Sequence, residues 1–262
     1  MSNRRPRALW VLAHPDDGSF NRQLFHAGRT KLEETHELEV TDLYAMRFDP
    51  VLSHTDLGAH AAGPGTFLQR WGDAYSSGNL PEDVRREQHK LLAADLIVLQ
   101  FPLWWYSLPA ILKGWFDRVF SEGFGFDVPD ETTGHKLKYG AGRLVGKRAL
   151  ISVSAGVDAP SIAPRGIAGD IDSLLFPLTH GTLWYTGISP LPLHVITGAD
   201  DLDADQVQAE TARFLRRIDS LAHEQPTAYR SSASGDYRPG HRLRDEFHTG
   251  RTDLGIHLTT VR

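Results

Sequence analysis

The chain has 262 residues, no cysteine, a formal net charge of -5 and a hydrophobic fraction of 40%. That length holds one large α/β domain or two small ones, with enough apolar residues for a buried core. The charge argues against bulk attraction to nucleic acid or to an anionic membrane, and the missing cysteine rules out disulfides, thiolate catalysis and cysteine-based metal sites.

The start, Met1 to Arg7, is basic, and the apolar run that follows spans only Ala8 to Ala13. That is too short for a signal-peptide core or a membrane span, so a cytoplasmic protein without membrane insertion is expected. The same run reads as a first buried strand. Residues Asn21 to Thr35 have helical spacing through Leu24, Phe25 and Leu32, and Leu38 to Leu43 read as a second strand. Residues 50–81 are rich in Gly, Pro, His and Ser and predict a long excursion with short helical pieces. Pro81 to Ala94 predicts a helix, with Glu82 and Asp83 favourably placed in its first turn. Strands follow at Leu96 to Gln100, Lys147 to Ala155 and Leu193 to Thr197. Helices are expected at Ala110 to Phe120 and Ala204 to His223, with partial helix over 170–186. Strands alternating with helices imply a parallel, doubly wound sheet covered on both faces. Residues 1–224 make that body. Residues 225–262 are Arg-rich, lack periodicity and are too few for a domain, so they are expected to wrap over the body or a partner as an extended C-terminal tail.

The most informative stretch is 95–120. An apolar strand stops at Phe101-Pro102, the aromatics Trp104, Trp105 and Tyr106 follow, and Pro109 precedes an amphipathic segment. Ligands of open α/β sheets bind where parallel strands end, so a strand end carrying flat aromatic side chains suggests a flat guest. Gln100 to Leu103, Trp105 and Pro109 to Phe116 closely match a long motif, and on them the chain resembles the NAD(P)H:quinone oxidoreductases, flavin-dependent enzymes with a flavodoxin-like fold. The resemblance implies flavin contacts at Pro102, Leu103, Trp104, Trp105 and Tyr106.

A second constellation, Ala13 to Asn21, joins the first strand to the first helix. A helix N-terminus there offers outward-pointing amides to phosphate. The resemblance places the flavin diphosphate on His14, Ser19, Phe20 and Asn21. Asp16 and Asp17 would repel it unless they face solvent. Ala-His-Pro-Asp-Asp also resembles the zinc motif of sugar N-deacetylases, which would make His14 and Asp17 ligands and Asp16 a base. That reading lacks a downstream ligand pair and has Gly18 where an acidic residue is usual, so no metal is expected.

A third loop follows the Lys147 to Ala155 strand. Ser154, Ala155 and Gly156 partly match the reductases' Thr-Thr-Gly-Gly, and Gly166, Ile167, Gly169 and Asp170 match a later Gly-Ile-His-Gly-Asp. The resemblance puts Ser154, Ala155 and Gly156 against the flavin ring. The family's Tyr and His that assist the reduced ring fall on Ile162 and Ala168, which donate nothing. Backbone N–H groups of this loop or Arg165 remain able to stabilise negative charge there, so Trp105, Tyr106, Gly156 and Arg165 form the expected catalytic set. A different acceptor preference from that of the animal enzymes is expected. The resemblance puts Phe124, Phe126 and Val128 in a substrate pocket lined from the partner subunit, with Ile162 and Ala168, and makes its wall more apolar than the family's. Gly142 to Lys147 and Gly123-x-Gly125 fail as P-loop and Rossmann signatures, so NAD(P)H is expected as a transient donor without its own Rossmann site.

The resemblance therefore implies two-electron, ping-pong hydride transfer from NAD(P)H through a bound flavin to a quinone or similar aromatic acceptor. Leu254 to Leu258 resembles the tail of the long reductases, which favours FAD over FMN and a homodimer. Thr66 and Gln69 are weak candidates for the adenine side, and Trp71 reads more readily as core. An alternative is an ancillary flavin-binding subunit of a potassium efflux system, with Arg238, Arg242, Arg244 and Arg251 as a docking arm.

Overall fold

The computed structural model describes residues 4–259. The outermost three residues at each end of the expected body and tail lie outside the described residues. Six parallel strands form one sheet: β1 (Arg7–Leu12), β2 (Glu37–Asp42), β3 (Leu96–Pro102), β4 (Arg148–Ser154), β5 (Ser189–Pro190) and β6 (His194–Ile196). Their order is β2-β1-β3-β4-β5, with β6 also paired to β4. All seven residues of β3 are buried. Leu96 and Val98 face one side while Ile97, Leu99 and Phe101 face the other, as a strand covered on both faces requires.

The helices are α1 (Phe20–Leu32), α2 (Phe67–Ser76), α3 (Glu82–Ala93), α4 (Ala110–Val119), the short α5 (Ile171–Leu174) and α6 (Phe176–Leu178), and α7 (Ala204–Ser220). One face of the sheet is covered by α1 and α7, where Leu24, Phe25, Phe214 and Ile218 pack on Trp10 and Leu12. A Cβ on Gly28 would lie 2.6 Å from both Trp10 and Phe214, so only glycine lets α1 sit this close. The other face is covered by α3 and α4, through Leu91, Leu112, Trp115 and Phe116, and by Leu175, Leu178 and Leu183. A π-helical turn, Thr179–Trp184, continues α6.

The expected alternation is present, with small differences. Helix α1 ends at Leu32 and turns through Glu33, whose N–H reaches the Arg29 carbonyl at 2.9 Å. Strand β5 escaped sequence reading because it is two residues long and one is proline. The 50–81 excursion carries a short 3₁₀ stretch, His54–His60, and α2. It is fastened by Arg118, whose guanidinium bonds Asp56 (2.8 Å), Asp83 (2.8 Å) and the Asp49 carbonyl (2.9 Å). The tail lies over the body. The Trp184 indole donates to the Arg230 carbonyl at 3.0 Å, Thr179 and Tyr229 hydroxyls meet at 2.9 Å, and the Ser232 N–H donates to Tyr139.

Candidate functional site

The C-terminal ends of β1, β3, β4 and β6 converge on one cleft. A buried polar chain fixes its floor. The Trp10 indole donates to Gln100 Oε1 (3.0 Å), Gln100 Nε2 donates to the Asn21 carbonyl (2.7 Å), and Asn21 Nδ2 donates to Ser154 Oγ (2.7 Å). These four residues join β1, β3, α1 and β4, and all are nearly inaccessible to solvent. Buried polar groups must be paired, so the chain holds the strand ends in one register relative to α1. Asn21 was expected to face phosphate with its side chain. Its amide is instead spent on Ser154, which leaves the Ser154 hydroxyl proton free to donate outward.

Ser19 caps α1, its Oγ accepting the Arg22 N–H at 3.2 Å. The first-turn amides of such a helix have no intrahelical acceptor and carry partial positive charge. The two carboxylates that threatened this anion site are turned away from it. Asp16 Oδ1 accepts the Gly18 N–H at 2.9 Å, and the solvent-exposed Asp17 pairs with Arg22 at 2.9 Å. His14 Nδ1 lies 3.2 Å from the Asp16 N and 3.3 Å from the Asp16 carbonyl oxygen, which holds the ring against its own loop. Partial burial holds the His14 pKa below its ordinary value, chiefly through desolvation, and the imidazole is neutral at neutral pH.

A cavity of about 200 Å³ is lined by His14, Ser19, Phe20, Asn21, Pro102, Leu103, Trp104, Ser154 and Gly156. The sequence-based cofactor set is therefore largely gathered in one place. Ala155 is one exception: it is buried, with its N–H donating to Ile196. Trp105 and Tyr106 also lie outside the lining, in the loop that carries Trp104. Trp105 is 96% exposed, and both have left-handed backbone, with φ of 50° and 57°. Each such non-glycine residue costs on the order of 1 kcal/mol, a strain that clusters at ligand sites. The Gly156 N–H has no protein acceptor among the described residues.

Sequence reasoning missed Ala199 and Asp200, which also line this cavity. The Gly198 N–H bonds Val157 and the Ala199 N–H bonds Ala155, clipping the loop after β6 to the loop after β4. A Cβ on Gly156 would lie 2.2 Å from an Asp200 carboxylate oxygen. Their place just past the last strand was the available signal.

Other expected residues need correction. Phe124 is fully buried between the Phe120 and Tyr75 rings, and Val128 and Ile162 are also buried, so none of these side chains lines an open cavity of this chain. Phe126 does, beside Phe116, Phe120 and Tyr185 in a hollow of about 490 Å³. Ala168 is partly exposed, its N–H bonding Ser161. Arg165 is exposed and has no side-chain partner among the described residues. Thr66 and Gln69 form the capping box of α2, in which the Thr66 hydroxyl oxygen and the Gln69 side-chain carbonyl each accept a backbone N–H. Trp71 is core, packed against Phe67 and Phe126. Among the described residues no cluster of His, Asp and Glu is arranged to hold a metal ion, and no helix is long and apolar enough to cross a membrane.

A family model for the flavodoxin-like fold matches residues 6–221. The chain is 35% identical to a Mus musculus ribosyldihydronicotinamide dehydrogenase [quinone], over 84% of this chain and 94% of that one. It is 33% identical to NAD(P)H dehydrogenase [quinone] 1 of Cavia porcellus, over 92% and 86%. A crystal structure of a candidate quinone reductase from Klebsiella pneumoniae superposes with a TM-score of 0.89 at 38% identity, covering 97% of this chain and 99% of that one. Fold, cleft and relatives agree, and the chain belongs to the NAD(P)H:quinone oxidoreductase family of the flavodoxin-like fold.

Proposed function

We propose that this protein is a flavin-dependent NAD(P)H:quinone oxidoreductase. The observation that carries the reading is the cleft itself, in which a helix N-terminus, a donor hydroxyl at Ser154, a free amide at Gly156 and a strained aromatic loop converge. Those features fit a flavin: a phosphate end needs amide and imidazole donors, and a flat ring needs aromatic faces and a small residue beside it. The first-turn N–H groups of α1 with His14 and Ser19 would hold the phosphate. Pro102 to Tyr106 and Ser154 to Gly156 would hold the ring. A bound flavin supplies two-electron hydride chemistry between a reduced nicotinamide and a quinone.

The chain's own residues bind, orient and exclude water. The Trp10–Gln100–Asn21–Ser154 chain fixes the Ser154 hydroxyl as a donor into the cleft. The Gly156 N–H is placed to meet negative charge without moving a proton. Trp104, which lines the cavity, would cover part of a bound ring. Ile162 and Ala168 donate no proton, so charge on the reduced ring falls to backbone amides and to Arg165. Of the two flavins we favour FAD, on the resemblance at Leu254 to Leu258. The apolar hollow bearing Phe116, Phe120, Phe126 and Tyr185 supports a homodimer and an aromatic acceptor. A reduced nicotinamide donor suits a cytoplasmic enzyme. The ancillary-subunit reading has no comparable support: the relatives named above are dehydrogenases.

Initial rates with NADH, NADPH or N-ribosyldihydronicotinamide against a naphthoquinone test this. Parallel double-reciprocal lines are expected, and Arg165→Ala should lower kcat several-fold without changing thermal stability. Absence of turnover with every donor, in flavin-supplemented protein, contradicts the reading.

A further inference from the structure

We propose that Asp200 sets the electrostatic balance of the flavin site, disfavouring the reduced flavin relative to the oxidised one. The inference rests on the flavin reading above and concerns a residue outside the motifs that led to it. Among the described residues Asp200 is the only carboxylate lining the cleft, and its carboxylate lies against Gly156. It makes no ion pair or hydrogen bond among the described residues. The nearest lining base, His14, is held neutral by desolvation, so no full positive charge lines the cavity to offset Asp200. Arg22, at the start of α1, is already engaged by Asp17 and Asp42.

The position is built rather than accidental. The loop after β6 is clipped to the loop after β4 by the Gly198 and Ala199 amides, at 3.0 Å each. Those bonds hold Asp200 beside a glycine whose missing Cβ makes room for the carboxylate. Accepting a hydride adds one negative charge to the ring, so a fixed carboxylate nearby opposes reduction. The residues that would share that charge through a proton, at the Ile162 and Ala168 positions, have no donor. Backbone amides and the exposed Arg165 are then all that opposes the carboxylate's field, which makes the reduced enzyme a stronger donor to its acceptor. Solvent at the exposed carboxylate weakens the field, so removing the charge should change the equilibrium about three- to tenfold.

The test is the ratio of dissociation constants for reduced and oxidised FAD and FMN, measured anaerobically on the full chain by flavin fluorescence. Taking the ratio cancels any common effect of Asp200 on the phosphate end. In Asp200→Asn the ratio should move about three- to tenfold toward tighter binding of reduced flavin, with the shift shrinking at high salt. Asp200→Glu should behave as wild type. Both variants lie on an exposed turn and should keep the wild-type melting temperature. A ratio unchanged within twofold in Asp200→Asn, in protein that binds flavin normally, overturns the inference and leaves the reductase reading intact. Wild-type protein that binds neither flavin overturns both.

Discussion

Gln100 shows how one side chain serves both fold and site. It is fully buried, accepts from the Trp10 indole and donates to the Asn21 carbonyl. Gln100→Leu keeps the volume but strands the buried indole N–H, a loss of roughly 1–3 kcal/mol. Urea unfolding should register that loss, and flavin affinity should fall with it because Asn21 and Ser154 lose their anchor. A Gln100→Leu protein as stable as wild type would refute the network's structural role. Single residues were unevenly legible in the sequence. His14, Ser19 and Gly156 meet at one cleft, as loops at strand ends of this fold lead one to expect. The Asn21 side-chain bond to Ser154 was not legible, since a buried contact 133 residues away leaves no local trace. Asp200 was missed for the same reason: nothing in Gly-Ala-Asp-Asp marks its contact with Gly156.

Among the elements, the 50–81 excursion depends on a buried ionic clamp rather than on propensity. Arg118 of α4 meets Asp56, which is 0% exposed, and also Asp83 at the start of α3. Its guanidinium sits 5.0 Å over the Phe48 ring. Arg118→Met leaves Asp56 buried and uncompensated, and a broken buried pair typically costs about 3–5 kcal/mol. Hydrogen exchange should then accelerate over residues 50–81 more than in the sheet. Uniform destabilisation across the molecule would contradict the clamp. Sequence periodicity found β1 to β4 and helices α1, α3, α4 and α7 because apolar runs and 3.6-residue spacing are local, but it left the ten-residue α2 inside an excursion of short pieces. It missed β5 and the π-helical turn, which exist only through pairing with β4 and packing against the tail. The substrate-pocket expectation failed at Phe124 for a related reason. Alternating Gly and Phe give no sign of which ring turns inward.

For the whole molecule, acid stability follows from two buried histidines. Desolvation lowers His194 to about 3, helped by Arg213 and Arg217, and lowers His180 to about 4, helped by His257. His180 is stacked between Tyr139 and Phe176 and faces His257 of the tail, which is itself depressed by burial and Arg230. The unfolded chain binds these protons near pH 6.5 and the folded chain does not. Stability is therefore full above about pH 6.5 and is lost as pH falls toward 4 and then 3. Urea midpoints should drop between pH 7.5 and 5, and His180→Phe should reduce that drop; equal midpoints at both pH values would contradict it. Parallel strands deliver helix amides, aromatics and a glycine-bearing loop to one end of the sheet. The most direct measurement is the absorbance spectrum of the purified protein before and after anaerobic NADPH, with the released cofactor identified by mass. A yellow protein that bleaches with NADPH and recolours on adding a quinone is the predicted result, with the mass of FAD. A colourless protein that takes up no added flavin would contradict the account.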